Sequence, residues 1–269
     1  MSETCARFLR ASIKRPCTPS RETVGHSSPS RCRNEPSAGK HTSLVARRVV
    51  TRKPPQPPIV KSHSIQAVDY SPVKVHRTLE SLLTAVRACR VCEAHLPLGA
   101  RPVLQAGATA RILVVGQAPG AKVHASGVPW DDRSGERLRA WMGIDAGTFY
   151  DKTRIAILPM GYCYPGRAAS GDLPPRRECA ELWLDRLLAK LPGIELTLLI
   201  GQYAQAHFLG GKGHASVTAT TRDWREHAPG IIPLPHPSPR NVAWFKANPW
   251  FDDELLPVLR RNVHQLVAR

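Results

Sequence analysis

Four short apolar runs punctuate the chain from residue 111 onward: Arg111–Val115 (RILVV), Arg154–Leu158 (RIAIL), Leu196–Ile200 (LTLLI) and Ile231–Leu234 (IIPL). None alternates polar with apolar residues, the pattern of a strand covered on both faces. Helical spacing fills the intervals. Leu79, Leu82, Leu83 and Val86 mark an amphipathic helix running into Cys89, and a short helix is predicted around Gly135–Trp141 after a loop rich in Gly and Pro. Leu182, Leu187, Leu188 and Leu191 mark a helix from about Arg177, closed by Pro192-Gly193. Further helices are predicted over Gln202–Leu209 and from about Asp253 to Val267. Strands alternating with helices predict a three-layer α/β/α domain around a short, mainly parallel four-stranded sheet.

The first part of the chain lacks such periodicity. Residues 1–77 hold 15 Lys/Arg against 4 Asp/Glu, so +11 of the net +17 charge lies there, and the first 60 residues carry eight prolines. Too little apolar surface is present to offset chain entropy, so residues 1–75 are read as a disordered basic arm preceding a domain over 76–269. Such an arm attracts polyanions by counterion release, nucleic acid first among them, although a solvated tail without a specific partner has the same composition. Its Arg- and Ser-rich start has transit-peptide character, interrupted by Glu3, Glu22 and several prolines. No apolar stretch approaches the roughly 18 residues needed to span a bilayer, so a soluble protein without membrane function is expected. Cys5, Cys17 and Cys32 fall in the arm, which argues against a disulfide framework and for a reducing, cytoplasmic setting.

Two polar loops open from strand ends. GQAPG (Gly116–Gly120) follows the first run and HPSPRN (His236–Asn241) follows the fourth. Ligands of open α/β sheets sit beyond the carboxyl ends of the strands, so both loops can face one pocket despite their separation in sequence. Four cysteines also fall in the ordered part: Cys89 and Cys92 as C-x-x-C, then Cys163 and Cys179. Four thiols form a ligand set for an iron-sulfur cluster or a structural zinc ion, while free cysteines buried in a core have the same spacing by coincidence.

Taken in order, these motifs resemble the uracil-DNA glycosylase superfamily, most closely its iron-sulfur branch, family 4. The resemblance covers about residues 78–268. It rests on C-x-x-C before the first strand, the GQAPG loop, Gly127-Val-Pro-Trp130, Cys163-Tyr-Pro165, Cys179 and the strand-end His236-Pro237. It implies a DNA glycosylase of base-excision repair, monomeric and nucleoid-associated, acting on a damaged base such as uracil, with a protein of the same fold that binds damaged DNA without hydrolysis as the alternative. The four ordered cysteines would hold a 4Fe-4S cluster, with structural zinc as the alternative. His236 would donate to the departing base, Gln117 would orient water, and Trp130 would stack on the flipped base. Gly116, Ala118 and Met160 would line the base pocket. Ser238, Arg240 and Asn241 would contact DNA.

The sequence departs from the family twice. Neither Gln117 nor Ala118 supplies the carboxylate that family 4 and family 1 respectively carry in the first loop, and Asp131 and Asp132 are the nearest substitutes, although they read first as a solvated acidic turn. Pro159 stands where family 4 has the Asn that reads the uracil edge and offers only a carbonyl acceptor, which leaves recognition to backbone groups of GQAPG or of the Met160-Gly161-Tyr162 turn.

Overall fold

The computed structural model describes residues 76–169 and 171–269. The basic arm read over residues 1–75 lies outside the described residues. Four strands form one parallel sheet: β1 (Ile112–Val115), β2 (Ile155–Ile157), β5 (Leu196–Ile200) and β6 (Ile231–Leu234), in the order β2-β1-β5-β6. A two-residue antiparallel hairpin, β3 (Arg167–Ala168) with β4 (Gly171–Asp172), stands apart from the sheet.

The unbroken apolar strands follow from coverage of both faces. Leu113 and Val115 of β1 pack against α1 (Leu79–Arg87), the segment from α5 (Arg177–Cys179) to α6 (Asp185–Leu188), and α7 (Gly201–Leu209). Ile112 and Val114 face the opposite layer, formed by α3 (Arg133–Met142), α4 (Ala146–Tyr150) and α10 (Leu256–Val267). Successive residues of one strand thus enter two different cores, so every position must be apolar. The three-layer α/β/α architecture is the predicted one. No helix among the described residues is long and apolar enough to cross a membrane.

Several elements differ from the sequence expectation. The stretch expected as a loop after GQAPG contains α2 (Ala121–Ser126), stopped by Gly127 at φ 75°. Six residues are too few for a periodic signal. Helices α8 (Val217–Arg222) and α9 (Val242–Ala247) are equally short. The α5–α6 segment is joined by a π-helical turn over Ala180–Leu184, and a second π turn, Phe251–Leu255, leads into α10 two residues before the predicted start.

The chain passes from β1 to β2 on one side and to β5 on the other, so the strand order reverses between β1 and β5. That switch point places a crevice at the carboxyl end of β1. At β5 the backbone turns straight into α7, whose buried Gln205 donates from Nε2 to the Leu234 carbonyl of β6 at 3.0 Å. The open space falls to the loops after β1, β2 and β6.

Candidate functional site

A cavity of about 530 Å³ opens at this edge. Gly116, Gln117, Ala118, Trp130, His236, Ser238, Arg240 and Asn241 all line it, so the two loops read from the sequence do meet. Met160 is a correction. Its side chain is buried in the core and absent from the lining, and its N–H donates to the Gly116 carbonyl at 2.9 Å. Gly161 N–H donates likewise to Gln117 O at 2.9 Å. This turn therefore braces the first loop, and Ile157 and Pro159 form the cavity wall instead.

His236 is oriented by backbone. The Ser238 N–H donates to its Nδ1 at 3.2 Å, so in the neutral ring the proton resides on Nε2. Burial holds its pKa below the ordinary 6.5, against the opposing pull of Asp132 and Asp172. The site therefore presents a neutral imidazole with one N–H donor. Asn241 donates from Nδ2 to His236 O at 2.8 Å, and Ser238 Oγ accepts from Arg240 N–H at 3.2 Å. Both side chains brace the loop that the sequence reading assigned to DNA contact. Arg137 of α3 reaches beneath it and donates to Ser238 O at 3.0 Å.

Trp130 is the one described non-glycine residue with positive φ, at 59°. A bulky residue held there costs on the order of 1–3 kcal/mol, and its surroundings enforce it. Asp132 caps α3 by accepting from Gly135 N–H at 2.8 Å, and Gly135 lets the Trp130 carbonyl approach, since a Cβ there would lie 1.8 Å from Trp130 O. The indole packs over Gly116, where a Cβ would lie 2.9 Å from Cζ2, with its ring centre 5.8 Å from that of His236. Asp132 is thus a helix cap on the cavity wall, where the sequence suggested a solvated turn.

Asp172 was missed. It lies on β4, lines the cavity, and its Oδ2 is 3.6 Å from where a Gly120 Cβ would stand. Gln117 connects to the same hairpin, donating from Nε2 to Leu173 O at 2.9 Å. A carbonyl only accepts, so this bond fixes the amide with Oε1 left for water. A lone Asp in the sequence Gly171-Asp-Leu-Pro174 has no periodicity to reveal it. Only the hairpin brings it opposite the first loop. Lys122, Arg133 and Arg240 add cationic groups around the mouth.

A model of the uracil DNA glycosylase superfamily matches residues 104–260, a span that contains both loops, Trp130 and the hairpin. The chain belongs to the uracil DNA glycosylase superfamily. Membership makes it a glycosylase-like protein with DNA as substrate or partner.

The four cysteines lie outside this cavity. Cys89, Cys92, Cys163 and Cys179 are free thiols lining one small, mostly apolar cavity between α1 and α5. Burial pushes the Cys179 thiol up to about 12 and the Cys163 thiol to about 11. Among the described residues no group of three or more His, Cys, Asp or Glu side chains meets the spacing of a metal-ion site. The donor chemistry nevertheless suits a sulfur-ligated cluster. All four candidate ligands are thiols, and three unpartnered hydrogen-bond donors share their cavity: Tyr162 Oη, Trp183 Nε1 and Arg176 Nε.

Proposed function

We propose that this superfamily member hydrolyses the N-glycosidic bond of a damaged base in DNA, uracil foremost. The observation that carries the reading is His236, a neutral imidazole whose Nε2–H is set by the Ser238 amide at the wall of the cavity between the two loops. Extrusion of a nucleotide into that cavity costs a few kcal/mol, and stacking on Trp130 offsets roughly 1–3 kcal/mol. As the C1′–N bond breaks, its electron pair leaves with the base, and Nε2–H donates to the carbonyl oxygen where negative charge gathers. One such preorganised donor contributes about 3 kcal/mol.

The sugar becomes cationic in the same step. Gln117 cannot neutralise that charge, but the Asp172 carboxylate shares its cavity, and Asp132 adds a second negative group whose Oδ1 is committed to the α3 cap. Gln117 Oε1 positions a water whose oxygen bonds to C1′, and Asp172 takes the released proton. Arg240, Lys122 and Arg133 hold DNA phosphates around the mouth. The four cysteines would hold a 4Fe-4S cluster, which when bound ties α1 to the segments carrying Cys163 and Cys179.

The test is incubation of the purified protein with oligonucleotides bearing uracil, hypoxanthine or xanthine, followed by alkaline cleavage at abasic sites. Strand breaks at a lesion, reduced a hundredfold or more by His236→Ala, are expected. Binding without breaks at any lesion overturns hydrolysis and makes the protein a damage-recognition module. An unchanged rate in His236→Ala removes the histidine from the reaction.

A further inference from the structure

We propose that Tyr162, Trp183 and Arg176 are hydrogen-bond donors to the sulfurs of the cluster held by Cys89, Cys92, Cys163 and Cys179, and that they set its retention and reduction potential. The proposal rests on the cluster reading above and deepens it.

Tyr162 is 1% exposed and Trp183 9%, yet neither Oη nor Nε1 has a hydrogen-bond partner, and Arg176 Nε is buried in the same condition. A buried donor left unmatched costs about 1–3 kcal/mol, so native proteins rarely keep one and three around a single cavity require an explanation. They come from three places: Tyr162 from the turn after β2, Trp183 from the π turn, and Arg176 from the residue before α5. What they share is the wall of the cysteine cavity. The indole and guanidinium N–H groups can only donate, and the phenol donates as readily as it accepts. The missing partner is therefore an acceptor. The Arg176 guanidinium pairs through Nη2 with Glu178 and also hydrogen-bonds the Cys92 thiol, while its Nε has no partner. An anionic group rich in sulfur lone pairs, ligated by the four thiolates, is the acceptor that the surrounding residues can hold. Hydrogen bonds to cluster sulfurs favour the more negative, reduced form and raise the potential.

The π turn has a place in this arrangement. Trp183, four residues after Cys179, lies on this turn and lines the same cavity as that thiol.

The experiment compares wild type, Tyr162→Phe and Trp183→Phe, purified anaerobically and reconstituted with iron and sulfide. Iron and sulfide content, absorbance near roughly 400 nm during chelator challenge, midpoint potential, and unfolding temperature of the metal-free form are measured. Each variant is expected to lose the cluster about fivefold faster or more. Its potential should fall, a tenfold change in the reduction equilibrium being about 59 mV for one electron. The metal-free Tyr162→Phe protein should be as stable as wild type or more so, because an orphaned donor has been removed with the ring kept. That opposite sign separates donation from simple packing, which predicts losses in both forms. Equal cluster lifetimes and potentials in all three proteins overturn the donor assignment while leaving the cluster. Wild type that takes up no iron, or zinc in its place, overturns the cluster and its donors together.

Discussion

Gly135→Ala sets two physical effects against each other with opposite signs. Gly135 is the third residue of α3, where alanine is favoured over glycine by about 1 kcal/mol, so helix propensity alone predicts a more stable protein. The tertiary structure predicts the reverse. The new Cβ would lie 1.8 Å from Trp130 O, 2.7 Å from Trp130 C and 2.8 Å from its Cβ. Relief to ordinary contact requires a displacement of about 1 Å or more between α3 and the Trp130 backbone, whose φ of 59° leaves little freedom. Overpacking of this kind costs typically 1–3 kcal/mol, in addition to disruption of the Asp132 cap. A net loss of about 1–3 kcal/mol is expected, equivalent to a fall of roughly 3–10 °C in Tm for a domain of this size. Urea and thermal unfolding at fixed pH measure it directly. Because the indole rests on Gly116 beside His236, excision should fall about a hundredfold as the stacking surface shifts. A Tm equal to or above wild type would show that the close approach of Gly135 does not hold Trp130 in place, and the reasoning would fail.

Other outcomes follow from the site. Because the folded-state pKa of His236 lies below its ordinary 6.5, its neutral form contributes stability that is present above that pH and lost as pH falls towards the folded pKa, by at most about 1.4 kcal/mol per pH unit. His236→Gln should flatten this acid-side slope in urea titrations below pH 6.5, and an unchanged slope would assign it elsewhere. Asp172→Asn should reduce kcat for base release by about 10- to 100-fold with little change in DNA affinity, and should lower the His236 pKa further by removing an opposing negative charge, visible by NMR titration; wild-type kcat would exclude Asp172 from the reaction. Gln117→Glu places a carboxylate against Leu173 O in place of an amide donor, so it should loosen the hairpin by about 1–3 kcal/mol instead of restoring a family-like first loop. A gain in excision by that variant would show that the hairpin contact is dispensable.

The layers and the loops were legible in the sequence. Ile112–Val115 is apolar at every position, and Leu196–Ile200 at every position but Thr197, because both faces of the sheet are covered. GQAPG and HPSPRN were legible because they directly follow such runs, and the order of a parallel sheet brings strand ends together. Trp130, His236 and the four cysteines were legible through their motif context. What the tertiary structure alone decided are the relations between distant segments. Asp172 reaches the cavity through a two-residue hairpin too short to leave a pattern, and Met160 leaves it because its backbone braces Gly116. Asn241 and Ser238 became braces of the histidine loop once their partners were fixed. The proton on His236 Nε2 follows from a single amide two residues on, and the unmatched donors around the cysteines from burial that no local window contains. Periodicity records which face of an element is buried, whereas hydrogen-bond partners and field-bearing neighbours depend on how separate elements converge. The element pattern was therefore local information, and the chemistry of the cavity was not.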